Sequence, residues 1–301
     1  MIMFSTKSIY MKMCRESGML HVLTEEERIQ LQAHLRKMYV DIESVCNKYG
    51  LTVMVAYGSL LGALRHGGFI PWDDDLDLYM PREDYDKFIK IYSNNLPDNY
   101  IVYAPGSING PIYNFAKVID KNTSFVFPGN ENLKHYKGIF VDIFPIESIN
   151  EKFPLLNKAK SILAKAIIYI GGSVLQYEMK SKIYRKLMSG NATALFNYWF
   201  RQFLGFVFSV KNSQWWQNYF DGFCQYKKKT GFLHDPSGFY SWTPMSQDIF
   251  LPVKRVKFDN IEVNIPNNPN HLLEREYGDW HYIPKPDERT EHFVIELKFR
   301  V

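Results

Sequence analysis

The run Asp73-Asp74-Asp75-Leu76-Asp77-Leu78 constrains this chain more than any other stretch. In a strand, residues two apart point to the same face. Leu76 and Leu78 therefore face a core, while Asp75 and Asp77 present two carboxylates side by side. Adjacent anions repel unless a cation lies between them, and hard oxygen ligands suit Mg²⁺ or Mn²⁺. The plain alternative is an acidic turn with solvated charges. The preceding segment favours the strand. Leu51–Ala56 reads as a short buried strand, followed by Gly58-Ser59 and a short helix from Ser59 to about Arg65. Glycine lets a backbone approach a ligand closely, and a helix N-terminus offers free amides and partial positive charge to a phosphate. Alone, Gly58-Ser59 is a turn with Ser59 as N-cap. Joined to Asp-x-Asp, it places a phosphate cradle and a metal site in one short unit.

A third carboxylate often completes such a site. Asp142 is a lone acid among apolar strand residues in Phe140-Val141-Asp142-Ile143-Phe144-Pro145. A buried unpaired carboxylate is costly, so it needs a metal, a substrate hydroxyl or a lysine as partner. Arg65, His66 and Lys117 are candidate phosphate contacts, because cations beside a pyrophosphate strengthen its binding. Their plain alternatives are charges at a helix C-terminus and a solvated strand residue.

The rest of the chain is mixed. Thr24-Glu25-Glu26-Glu27 is a capping box, and Leu31, Leu35, Met38, Ile42, Val45 and Tyr49 trace one helix face up to Gly50. A helix opens at Pro81. Strand-like runs follow at Tyr100–Tyr103, Phe115–Ile119, Ser124–Phe127 and Gly138–Ile143. Glu151 to about Tyr226 is helical, then short strands return, with one helix at Asn270–Tyr277. The expected fold class is α+β (mixed α/β), a mixed sheet with a helical insertion. The expected organisation is one domain over 1–301, a catalytic core at about 25–150 and 231–301, and an insertion at about 151–230.

Charge separates the two parts. Residues 151–230 hold 13 Lys/Arg against 3 Asp/Glu, so a chain of net +4 divides into +10 there and −6 elsewhere. Tyr198-Trp199-Phe200 and Trp215-Trp216 stand among those bases, which suits an anionic membrane surface or a phosphorylated acceptor; the alternative is a solvated basic face. No motif accompanies the charge to suggest nucleic acid. The apolar runs are far short of the ~20 residues that cross a bilayer, and Met1–Met13 has no apolar run of the length expected of a signal peptide. Cys14, Cys46 and Cys224 are dispersed, which disfavours structural zinc and suggests a reducing compartment. The expected location is cytoplasmic, with at most peripheral contact at the inner face of the membrane.

The segment from Tyr57-Gly58-Ser59 through His66-Gly67-Gly68-Phe69-Ile70-Pro71-Trp72 to Asp77 resembles the signature of the LicD-type phosphotransferases. Val141-Asp142-Ile143-Phe144-Pro145, the Lys117–Thr123 block and Tyr277-Gly278-Asp279-Trp280 with Pro284, Pro286, Glu288, Arg289 and His292 are similar to further blocks of that family. The likeness spans about 30–292 and is weakest through 150–230. Trp280 stands where the family usually has Tyr, and the cysteine cluster of the fukutin-related branch is missing.

The resemblance implies a nucleotidyltransferase-like fold and transfer of a phospho-alcohol, foremost phosphocholine. The donor is a CDP-alcohol, the acceptor a sugar hydroxyl of a surface glycan or its lipid-linked precursor, and CMP leaves. It implies Asp75 and Asp77 as metal ligands, Asp73 in support, and Asp142 as third ligand or base. Ser59 and nearby amides would hold phosphate oxygens, with Arg289 and His292 as further substrate contacts. Trp72, Tyr240 and Trp242 are candidates for a cation–π cage around choline, against ordinary packing. Two rival functions remain: a true nucleotidyltransferase releasing pyrophosphate, and a non-catalytic subunit of a glycan assembly complex.

Overall fold

Thr24 sets the first long helix. In the computed structural model, which describes residues 10–92, 95–133, 137–238, 242–286, 288–289 and 292–300, a short strand β1 (His21–Val22) leads into α1 (Glu25–Tyr49). The Thr24 hydroxyl accepts the Glu27 amide at 3.2 Å, and Glu27 accepts the Thr24 amide at 2.8 Å. Gly50, at φ 63°, ends the helix in the left-handed region that glycine enters without steric cost. Leu31, Leu35, Met38, Ile42 and Val45 are buried as the spacing predicts, whereas Tyr49 in the last turn is exposed. Thr24→Ala is expected to cost about 1 kcal/mol, read as a lower urea midpoint at unchanged m-value.

The chain continues through β2 (Met54–Val55), α2 (Tyr57–Arg65), β3 (Asp77–Pro81), α3 (Arg82–Ile91), β4 (Tyr100–Tyr103), β5 (Ala116–Asp120), β6 (Ser124–Val126) and β7 (Ile139–Ser148). Four helices follow: α4 (Pro154–Met179), α5 (Lys182–Met188), α6 (Ala192–Phe208) and α7 (Ser213–Cys224). The chain then returns through β8 (Phe232–His234), β9 (Met245–Ser246), the hairpin β10 (Lys254–Phe258) and β11 (Ile261–Ile265), α8 (Pro269–Tyr277), β12 (Phe293–Val294) and β13 (Glu296–Lys298).

The main sheet runs β2-β3-β7-β5-β4. Only β3 and β7 pair in parallel; the other neighbours are antiparallel, and β8 pairs with the far end of β7. The fold is therefore α+β with a mixed sheet, as the sequence implies. Alternation assigns the two faces. Leu78, Met80, Val118, Ile139, Val141 and Ile143 join the α1 side chains in the largest core cluster. Asp77, Lys117 and Asp142, each one residue out of phase, fall on the other face.

Several boundaries differ from the expected ones. The strand before Gly58 is two residues long, since Ala56 already serves as N-cap of α2. That helix begins at Tyr57 rather than Ser59. Strand β3 begins at Asp77, so Asp75 lies in the extended approach to the strand and not within it. Strand β7 runs five residues past Ile143 because its far half finds β8 as a partner.

Candidate active site

Three adjacent strands carry the site. Asp77 on β3 is in register with Asp142 on β7, and Asp142 with Lys117 on β5. Side chains in register share a face, so the three form one row. Lys117 Nζ lies 2.6 Å from Asp142 Oδ1 and 3.1 Å from the Phe140 ring centroid. The lysine is buried, and its partner is Asp142. Burial lowers the Lys117 pKa, and Asp142 works against that. Burial likewise pushes Asp142 up to about 6 although Lys117 pulls it down. Of the three partners open to Asp142 in the sequence, the structure supplies the lysine.

Asp73 and Asp75 crowd the same centre. Burial, then Asp75 and Asp74, push Asp73 well above the carboxylate range; burial, then Asp75, Asp142 and Asp73, do the same to Asp77. Burial also raises Asp75, with His292 opposing. Asp73 Oδ2 is buried without a hydrogen-bond partner. Asp74 is buried and lies 2.5 Å from His292 Nδ1. Burial disfavours charge on His292, but Asp74, Asp75 and Asp73 outweigh it and push its pKa up to about 9. Asp74, Asp75 and His292 bring ligand atoms within 4.8 Å of one another.

The cluster therefore holds five carboxylates, Asp73, Asp74, Asp75, Asp77 and Asp142, against two cations, Lys117 and His292. Repelling oxygens with an unsatisfied buried Oδ2 fit a hard divalent cation.

Helix α2 begins at this cluster. Its N-cap, Ala56, has no side-chain cap, so the first-turn amides lack one. A Cβ on Gly58 would stand 3.1 Å from Asp73 Oδ2, which keeps the backbone close to the acids only if residue 58 is glycine. The Ser59 hydroxyl, expected as an N-cap, sits inside the helix, is buried, and accepts the Asp77 amide at 2.9 Å. It fastens the helix to the carboxylate strand.

Other expected contacts are placed elsewhere. Arg65 donates to the Trp280 and Tyr282 carbonyls at 3.1 and 2.8 Å and to His66 at 3.0 Å, so it straps the C-terminal segment. The His66 ring stands edge-on to Trp72, and burial lowers its pKa. Arg289 lies 4.0 Å over the Trp72 ring. Trp242 is buried in a separate cluster with Ile149, Ala164, Phe220 and Cys224. Tyr240 lies outside the described residues. The Trp72–Trp242 cage is thus not assembled: a cation occupies one ring and a core the other.

Sequence reasoning missed Asp235. It is buried and accepts the Tyr57 and Tyr79 hydroxyls, the latter at 3.1 Å, and the Ser237 amide at 2.8 Å. Burial pushes its pKa up to about 7, against hydrogen bonds from the Ser237 and Gly238 amides. Asp235, Tyr57, Tyr79, Phe250, Glu276 and Tyr277 line one cavity. In the sequence, Asp235-Pro236-Ser237-Gly238 looks like an ordinary loop. The sequence offers only the tyrosine directly before Gly58 as a pointer; in the fold that Tyr57 is held at φ 43°, where non-glycine residues are uncommon.

The family described as LicD/FKTN/FKRP, nucleotidyltransferase domain, matches residues 50–161, a span that contains the helix α2 cradle, all five carboxylates and Lys117. The chain is similar to the lipopolysaccharide cholinephosphotransferase LicD of Haemophilus influenzae, with 24% identity over 262 residues, covering 84% of this chain and 91% of that protein. It is also 28% identical to uncharacterised proteins of Rickettsia prowazekii over 149 residues and of Rickettsia typhi over 144 residues, about half of each relative's length. The signature segment is thus built into one site inside the span that matches the LicD/FKTN/FKRP nucleotidyltransferase domain, and the likeness to the Haemophilus LicD protein extends over most of the chain's length.

Proposed function

We propose that this protein is a phosphotransferase that moves phosphocholine from a CDP-choline donor to a sugar hydroxyl of lipopolysaccharide or a related glycan, releasing CMP. The observation that carries the reading is the row Asp77–Asp142–Lys117 set against the uncapped start of α2. The name of the Haemophilus relative supports choline and lipopolysaccharide as the substrate classes.

Asp75 and Asp77 would hold Mg²⁺ or Mn²⁺, with Asp74, Asp142 and His292 at hand. When bound, the cation offsets the negative charge of the donor pyrophosphate. The Gly58 and Ser59 amides hold phosphate oxygens with the partial positive end of α2. Lys117 fixes the orientation of Asp142. The unpartnered Asp73 Oδ2 accepts the proton of the acceptor hydroxyl as it attacks phosphorus. Most of the acceleration then comes from positioning and fixed charge.

Phosphocholine carries its ammonium two carbons from the phosphate oxygen. A group held at Gly58 therefore needs its ammonium pocket within one side chain's reach. The cavity lined by Tyr57, the chain neighbour of Gly58, is the candidate, with aromatic rings, the Asp235 and Glu276 carboxylates and Arg275 in its lining. Rings and carboxylates together suit a quaternary ammonium. Asp235→Asn is expected to raise KM for CDP-choline about 10-fold with little change in kcat. KM for CDP-glycerol, which has no ammonium, should not move. The wild-type KM for CDP-choline should fall as pH rises through about 7, because Asp235 gains charge there and choline has no proton to lose. An equal rise of KM for both donors in the variant would remove the pocket from this role.

The transferred group and the reaction class are read from the product. Purified protein with Mg²⁺ is given CDP-choline, CDP-ribitol, CDP-glycerol and CDP-ethanolamine with a glycan acceptor. CMP released from the choline donor is the expected outcome. The nucleotidyltransferase description of the matching family keeps the rival alive, and pyrophosphate in place of CMP would establish it.

A further inference from the structure

Helix α6 presents its large apolar side chains outward. Phe196, Trp199, Phe200, Phe203, Phe206 and Val207 are all exposed, and their spacing of three and four puts them on one stripe. The buried stripe of the same helix is Ala194, Tyr198 and Gly205. A Cβ on Gly205 would lie 2.5 Å from the Ser173 carbonyl, so α6 crosses α4 backbone to backbone through that glycine. Helix α4 repeats the pattern. Leu155, Ile162 and Tyr169, seven residues apart, are exposed, while Asn157, Ala164 and Gly171, also seven apart, are buried.

Gly205 thus seats α6 on α4, Ala164 and Gly171 of α4 face α7, and both α4 and α6 leave large apolar side chains on the outside. A contiguous apolar face of this kind marks a surface that is covered in use. Its rim is basic. Arg185 lies 5.8 Å from the Trp199 ring and Lys211 5.7 Å from the Trp215 ring. The segment 151–230 as a whole carries 13 Lys/Arg against 3 Asp/Glu.

We propose that the α4–α6 face rests on the surface of an anionic lipid bilayer. Charge decides between lipid and a second copy of the chain. A second copy would set one strongly basic rim against another, with three acids in each segment to offset them. Anionic headgroups attract that rim, and the rings sink to the headgroup boundary while the bases reach back to the phosphates. No helix among the described residues is long and apolar enough to cross a membrane, so the contact is a lateral one. The inference is independent of which group the enzyme transfers.

Flotation of the full chain tests it. Vesicles of phosphatidylcholine alone are compared with vesicles containing phosphatidylglycerol, at low and high salt. The protein is expected to float with the anionic vesicles at low salt and about 10-fold less with neutral ones or at high salt. The triple variant Phe196→Ser, Phe200→Ser, Phe203→Ser should float at least about 10-fold less while keeping its melting temperature, because those exposed rings belong to no core cluster. Lys158→Glu with Lys211→Glu, which leaves every apolar contact in place, should weaken binding to the anionic vesicles alone. Wild-type protein that floats with neither vesicle, or a triple variant that floats as well as wild type, would overturn the proposal. So would a soluble dimer that the triple variant converts to monomer without any vesicle binding by either form.

Discussion

Asp77→Asn is expected to lower CMP release by about 10³-fold or more, the scale set by losing several kcal/mol of charge stabilisation at a phosphoryl centre. The same change should leave the protein at least as stable as before. Asp77 is pressed by burial and by Asp75, Asp142 and Asp73, all of which disfavour its charge. An amide of the same shape relieves that repulsion. Higher melting temperature with lost turnover is the signature of a group retained for chemistry at the expense of the fold. Calorimetry with Mn²⁺ gives a readout apart from activity: the wild type should bind, and the variant should bind at least about 10-fold more weakly. A variant that keeps more than about a tenth of wild-type turnover, with unchanged Mn²⁺ binding, would remove Asp77 from the proposed ligand set.

The largest effect on stability is expected at Arg82. Its guanidinium donates to Glu147 on β7 at 2.5 Å, to Asp221 on α7 at 2.7 Å and to Asp86 on its own helix at 3.1 Å. Glu147 is fully buried. Burial works against the Arg82 charge, but Glu147 and Asp221 outweigh it and raise its pKa. At Glu147 burial wins over Arg82 and pushes the pKa up to about 7. Arg82→Ala strands a buried carboxylate and should cost about 3–5 kcal/mol. Arg82→Met with Glu147→Leu should recover most of that, because an apolar pair fills the space with no charge to desolvate. The pH dependence has a definite sign. A carboxyl raised to about 7 in the fold gives its full contribution below its ordinary value near 4.5 and loses it as pH rises through 7. In Arg82→Ala nothing opposes the burial of Glu147, so the loss on going from pH 5 to pH 8 should be steeper than in the wild type. Denaturant titrations at the two pH values decide it; equal slopes in the two proteins would refute the account.

Much of the centre is legible in the sequence because it is local. The capping box, the alternation of Asp75 and Asp77 with two leucines, and the isolated acid at Asp142 each declare themselves within a few residues. The helical insertion is legible from its charge. What escapes is whatever long-range packing decides. The Lys117–Asp142 pair depends on the register of β5 against β7, and nothing near either residue fixes that register. Ser59 has every local mark of an N-cap, yet Ala56 takes that place and the hydroxyl is drawn to Asp77, 18 residues away. Trp72 and Trp242 look alike in sequence and end in different surroundings, under Arg289 and in a closed core. Asp235 is the clearest case. Its loop is unremarkable until β8 returns beside β7 and carries it to Tyr57.

That return has an evolutionary consequence. Ser148, where the chain leaves the sheet, is in register with Leu233, where it comes back. The two ends of the basic helical segment are thus neighbours, closed by one rung of an antiparallel pair. A segment attached in this way is a cassette: it can lengthen or shorten away from Asp221, which holds Arg82, without a change in the strands that carry the carboxylates. Sequence change is therefore expected to concentrate between these two anchors, away from the strands that carry the carboxylates.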